Sequence, residues 1–145
     1  MATPTAHTDA QGQNDIDRNV RQYRDLDLFF GTKQASNDIN KVTDIQAVKR
    51  SVRNLVLLNH YEKPFHPEIG SNLRAMLFEN MTPQMNHIIS RQIEMLIANY
   101  EPRCRLVQVQ TIPQFDRNGY HCSISFYVVN YPEPVEVESF LERLR

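Results

Sequence analysis

A chain of 145 residues, 41% hydrophobic and 23% charged, has room for one globular domain with one modest core. Its formal net charge of -1 excludes the broad basic field that gathers nucleic acid. No stretch approaches the roughly 20 apolar residues of a membrane span, and the N-terminus lacks the basic start and apolar stretch of a signal peptide. A protein made and kept in a cytoplasm is expected, with no nucleic-acid or membrane partner.

Residues 1–22 are polar and almost without apolar periodicity, so they cannot bury enough surface to offset the entropy of ordering. A flexible N-terminal arm is expected there, and one domain over residues 23–145. In RDLDLFF, Leu26, Leu28 and Phe30 alternate with Asp25, Asp27 and Phe29, the period of a short half-buried strand. A loop over residues 31–40 follows. Thr43-Asp44-Ile45-Gln46 has the form of a capping box. The helix it would open carries Ile45, Val48, Val52, Leu55 and Val56 on one stripe. Lys49, Arg50 and Arg53 fall off that stripe and read as a basic face turned to solvent, with contact to an acidic partner surface as the alternative.

Pro64, Pro67 and Gly70 in HYEKPFHPEIGSNL forbid a regular element and demand a defined turn. Ser71 is placed to cap a short helix through Leu73, Met76, Leu77 and Phe78. Thr82 and Pro83 then form an N-cap with proline at the first helical position. The helix they open puts Met85, Ile88, Ile89, Ile93, Leu96 and Ile97 on one face. It must stop before Pro102, which lacks a backbone donor and biases Glu101 away from helical geometry.

Beyond Pro102 the period becomes two. Arg105, Val107 and Val109 alternate with Leu106 and Gln108. After the turn Asp116-Arg117-Asn118-Gly119, Tyr120, Cys122, Ile124, Phe126 and Val128 share one face; His121, Ser123, Ser125 and Tyr127 take the other. In YPEPVEVESF, Val135 and Val137 alternate with Glu136 and Glu138. Ser139 is placed to cap a final short helix ending in Arg143 and Arg145. The fold class is therefore α+β: a small single domain, helices packed on a short antiparallel sheet, with a C-terminal β-hairpin.

Enzyme motifs are scarce. There is no glycine-rich phosphate loop, G-x-S-x-G, H-E-x-x-H or C-x-x-C. Histidines at 7, 60, 66, 87 and 121 show no metal-ligand spacing, so neither a metal nor another cofactor is expected. Cys104 and Cys122 are separated across the hairpin and read as small buried apolar residues, not a disulfide. A glycosidase would need two of Glu62, Glu68, Glu79, Glu94 and Glu101 across a sugar cleft. No tryptophan offers a stacking platform, and Arg103 beside Glu101 lowers the carboxyl pKa, the wrong direction for a general acid. The charged junction Glu101-Pro102-Arg103 reads in two ways, as wet residues at a helix end or as a charged plug fitted to a partner.

The order of the segments carries more than any one of them. A DLDL strand precedes SNDI, AVKRSVRNLVL, EKPFHPEIGSNLRAMLFE, a long helix ending in EPR, and a two-stranded segment. Over residues 23–145 this resembles the baseplate wedge family of contractile-tailed phages, whose relatives sit in type VI secretion baseplates. The resemblance implies a structural, non-enzymatic protein of the virion tail baseplate, assembled in the host cytoplasm. It implies docking of Glu101, Pro102 and Arg103 into a helical bundle of larger wedge subunits. It also implies that the tail sheath protein begins to polymerise on the strands near residues 105–111 and 120–130. Arg105, Val107 and Val109 would contribute there, with His121, Ser123, Ser125, Tyr127 and Val129, through an exposed sheet edge that templates another chain's strands. The rival arrangement has the segment through Val137 covering that edge. Some relatives are described as lysozymes and one branch as an adaptor-binding stress regulator. A wall-cleaving baseplate enzyme and a regulatory binder are thus the alternative functions.

Overall fold

The computed structural model describes residues 23–29, 31 and 38–143. The expected arm, Phe30 and Arg145 lie outside them. Strand β1 (Arg24–Leu26) pairs antiparallel with β2 (Lys41–Thr43), Arg24 opposite Thr43. The ribbon continues through Asp27 N–H to the Asn40 carbonyl and Asn40 N–H to that of Gly31, both 2.9 Å. β1 is shorter than its alternation suggests, because Phe29 N–H donates to the Asp27 carboxylate at 3.1 Å and turns the chain. Its faces are also reversed. Asp25 points to the protein, whereas Leu26, Leu28 and Phe29 are exposed, Phe29 by 81%.

Helix α1 (Asp44–Leu57) buries Ala47, Val48, Val52, Leu55 and Val56, the expected stripe. The capping box does not form. Thr43 belongs to β2, its side chain makes no cap bond, and Asp44 at φ 54 gives its N–H to Tyr23 O at 2.7 Å. Arg50 is not a free solvated charge either: it pairs with Asp27 and lies 5.2 Å over the Phe29 ring.

The proline-rich turn closes on itself. Ser71 N–H bonds Leu58 O at 2.9 Å, and the Glu62 carboxylate accepts from both Asn59 N–H and its side-chain amide at 2.8 Å. Gly70, at φ 142, passes so near Asn59 that a Cβ would lie 2.6 Å from its carbonyl carbon; only glycine fits. Helix α2 (Leu73–Met76) follows, with Asn72 rather than Ser71 at its N-cap, although Ser71 Oγ still accepts from Leu73 N–H at 3.4 Å. Helix α3 (Pro83–Tyr100) begins as Thr82-Pro83 requires, Thr82 Oγ1 accepting from Met85 N–H at 3.2 Å. Ile89, Ile93, Leu96 and Ile97 are buried, while Ile88, at the margin of the stripe, is exposed.

Strands β3 (Cys104–Gln114), β4 (Gly119–Val128) and β5 (Pro134–Glu142) form an antiparallel sheet in the order β3-β4-β5. A β-bulge interrupts β3: Leu106 faces Phe126 and Gln108 faces Ser125, leaving Val107 unpaired. The extra residue shifts the period, so Val107 is 56% exposed and Val109 only 7%. Val107 and Val109 therefore do not share a face. The final helix expected at Ser139 is absent; Ser139 lies in β5 opposite Cys122, buried on the inner face. One core results. Its sheet side is Val109, Tyr120, Cys122, Ile124, Phe126, Val128, Val135, Val137 and Leu141; α1 and α3 close it from the other side. Each large side chain wholly withdrawn from water there contributes about 1.5–3 kcal/mol.

Candidate functional site at the helix–strand junction

Pro102 ends α3 and Glu101 becomes its C-cap, the Glu101 N–H still bonded to Ile97 O at 2.9 Å. The abrupt stop turns the Glu101 side chain inward, where it is only 3% exposed. A buried carboxylate must be paired and hydrogen-bonded, and this one is. Arg103 donates from Nε to Oε1 at 2.7 Å and from Nη2 to Oε2 at 2.9 Å, and Ser51 of α1 donates to Oε2. Arg103 Nη1 reaches both oxygens of Asp25 in β1, and its guanidinium lies 5.7 Å over the Tyr23 ring. Burial alone would raise the Glu101 pKa, but the guanidinium and the Ser51 hydroxyl outweigh it and hold the carboxyl below its ordinary range. The Arg103 pKa rises, chiefly through its hydrogen bonds to Glu101.

Of the two sequence readings of this junction, the wet helix end does not describe Glu101. The residues form an internal ionic cluster joining α3, α1, β1 and the start of the sheet. Of the three junction residues, Pro102 is exposed and Arg103 partly exposed. Arg103 O accepts from Val129 N–H at 2.9 Å, which ties the cluster to the end of β4. Tyr23, Asp25 and Ser51 are members that local reading misses. The acid–apolar alternation of RDLDLFF is the one trace of Asp25 in the sequence. An ionised Glu101 has no proton to donate at neutral pH, and no group of three His, Cys, Asp or Glu among the described residues is arranged to hold a metal. Cys104 and Cys122 are free thiols, both pushed up to about 12 by burial.

The strand residues singled out from sequence divide. On the outer sheet face lie Arg105, half-buried His121, Ser123 and Ser125, and exposed Tyr127; Val107 projects from the bulge and Val109 is in the core. Val129, half-buried, follows β4. Two side-chain contacts link β4 to β5 across that face: Ser123 donates to Glu136, and His121 Nε2 lies 3.6 Å from Glu138 Oε2. β4 is the central strand, paired along one side with β3 and along the other with β5. The exposed edge expected over residues 121–129 is therefore not on β4. The C-terminal segment covers it and extends the sheet, so the free edges belong to β3 and β5.

Several known proteins are similar to this chain in sequence or in fold. A family model described as Baseplate wedge protein gp25 matches residues 42–132. The Baseplate wedge protein gp25 of Enterobacteria phage T4 is 33% identical over 101 residues, 70% of this chain and 76% of that protein. Among solved structures, a chain of the anti-feeding prophage baseplate superposes with a TM-score of 0.60 at 17% identity, covering 86% of this chain and 88% of its own. A putative tail lysozyme from Geobacter sulfurreducens gives 0.57 at 17% identity, covering 68% and 91%. At such identities the structures speak for the shared fold, and the sequence matches speak for kinship. With a family match across most of the domain and a third of the 101 aligned residues identical in the phage T4 protein, the chain belongs to the baseplate wedge protein gp25 family.

Proposed function

We propose that the protein is a non-enzymatic building block of a contractile-tail baseplate wedge, assembled in the host cytoplasm into the tail. It docks to larger wedge subunits through Glu101-Pro102-Arg103 and starts sheath polymerisation by offering a sheet edge to the sheath protein. One observation carries the docking reading: the buried Glu101–Arg103–Asp25 cluster holds Pro102 rigidly outward at an abrupt helix end. In this arrangement Glu101 positions the plug and Pro102 with the rim of Arg103 touches the partner. A fixed surface loses little entropy on binding. The same cluster weighs against wall hydrolysis, since it keeps Glu101 ionised.

The test is co-purification of the full chain with the larger wedge subunits. Pro102→Ala removes an exposed ring and one local helix stop but leaves the Glu101–Arg103–Asp25 cluster in place, so the protein should melt within a few degrees of the wild type while its incorporation falls at least tenfold. Incorporation at the wild-type level would remove the docking role. Clearing of purified peptidoglycan that Glu101→Gln or Glu68→Gln abolishes would instead make the protein a hydrolase.

A further inference from the structure

We propose that the outer edge of β5, rather than that of β3, receives the partner strand, and that this strand carries Lys or Arg at alternate positions. The proposal rests on the strand-templating reading above and names the edge and the chemistry it selects.

Among the described residues the sheet has two free edges, and they differ. β3 is guarded twice, by the bulge at Val107 and by Pro113, which has no N–H to offer. Its longest regular run is residues 108–112. β5 pairs with β4 without a register shift from Pro134 opposite Tyr127 to Glu142 opposite Gly119. Its proline stands first, so every later residue keeps its donor. Among the described residues, no backbone bond reaches β5 from any element other than β4. Val135, Val137, Ser139 and Leu141 are buried on the inner face, which holds this edge in a single conformation before anything binds.

The outer face of the strand decides who can bind. Glu136, Glu138 and Glu142 are exposed at every second or fourth position, Glu133 is exposed just before the strand, and no Lys or Arg lies between residues 131 and 142. Strand geometry sets alternate side chains about 7 Å apart, so the carboxylates form an acidic row beside the open backbone. A second copy of the same strand would lay carboxylate against carboxylate, which is unfavourable for cross-strand neighbours. A strand with alternating basic residues gains opposite-charge pairs in the same places. The row thus suppresses self-pairing and admits a basic partner, so one feature serves both ends.

The full chain is tested with two acetylated ten-residue peptides, one alternating lysine and valine and one alternating glutamate and valine. Amide exchange read by NMR should slow at least tenfold along β5 with the lysine peptide and nowhere with the glutamate peptide. Glu136→Lys combined with Glu138→Lys should reverse that preference while lowering the melting temperature by no more than a few degrees, the loss expected from the exposed contacts to Ser123 and His121. Protection along β3, equal protection by both peptides, no protection by either, or self-association through β5 would overturn the proposal. Assembled baseplates separate it from the reading on which it rests. The doubly reversed β5 protein should fail to start a sheath, while Gln108→Glu with Gln110→Glu on β3 should start one normally. If the β3 protein alone fails, templating stands and the β5 assignment falls. If both start sheaths, templating falls with it.

Discussion

Arg103 Nη1 lies 3.0 Å from Oδ2 of Asp25, a residue 78 positions earlier in the chain. The same guanidinium grips Glu101 two positions away. A residue at a helix end is thereby joined to the first strand, and the ion pair is at once a surface feature and an internal brace.

The two carboxylates that Arg103 serves are unequally buried, so they respond differently to its loss. Arg103→Ala strands the Glu101 carboxylate with Ser51 as its remaining side-chain donor, and breaking a buried pair in this way costs about 3–5 kcal/mol. Asp25→Ala removes the more exposed partner and should cost about 1 kcal/mol or less. Domains carry roughly 5–15 kcal/mol in total, so the Arg103→Ala protein should still fold but melt well below the wild type. Urea denaturation of both variants checks the difference; equal losses would show that Glu101 is not the dependent group.

Acid should dissolve the brace in a defined direction. The folded-state pKa of Glu101 lies below its ordinary value of 4.5, so the native state favours the ionised form. The stability it contributes is complete above that ordinary value and drains away as pH falls through the lower, folded value. The gap in melting temperature between wild type and Glu101→Gln should be constant above neutrality and narrow below pH ~4. A gap that widened on acidification would contradict the pairing.

Two phenylalanines of equal size should behave oppositely. Phe126 is wholly buried in the central strand, and truncation to alanine should cost about 3–5 kcal/mol through the cavity it leaves. Phe65 is 98% exposed at φ 67 in the proline-rich turn, so Phe65→Ala should change stability by no more than about 0.5 kcal/mol. Denaturant midpoints of the two proteins give the answer directly. A large loss at Phe65 would mean that the turn depends on its ring.

Much of the fold is legible because it depends on local rules. Thr82-Pro83 opens α3 where stated, Pro102 ends it, and the alternation from Tyr120 to Val128 separates the two faces of β4 without exception. The misreadings share a different origin. Ser139 followed by Phe-Leu-Glu-Arg suits a helix as well as a strand, and it becomes a strand because β4 has an unsatisfied side that residues 134–142 complete. Thr43 suits a capping box, but the ladder with Arg24 claims it first. The candidate site was legible as a motif and illegible as a cluster: Ser51 and Asp25 meet Glu101 and Arg103 only in space.

By itself the sequence determined where α1, α3 and β4 run and which side of each meets the core, because burial periodicity is written residue by residue along those segments. The tertiary structure alone decided three things. It turned Asp25 and Asp27 inward toward Arg103 and Arg50, leaving Leu26, Leu28 and Phe29 outside. It placed a bulge at Val107, and it made β4 central and β5 an edge. Ion pairs and strand register are set by neighbours far away in the chain, and a one-residue slip or a single guanidinium outweighs the local preference of a three-residue strand.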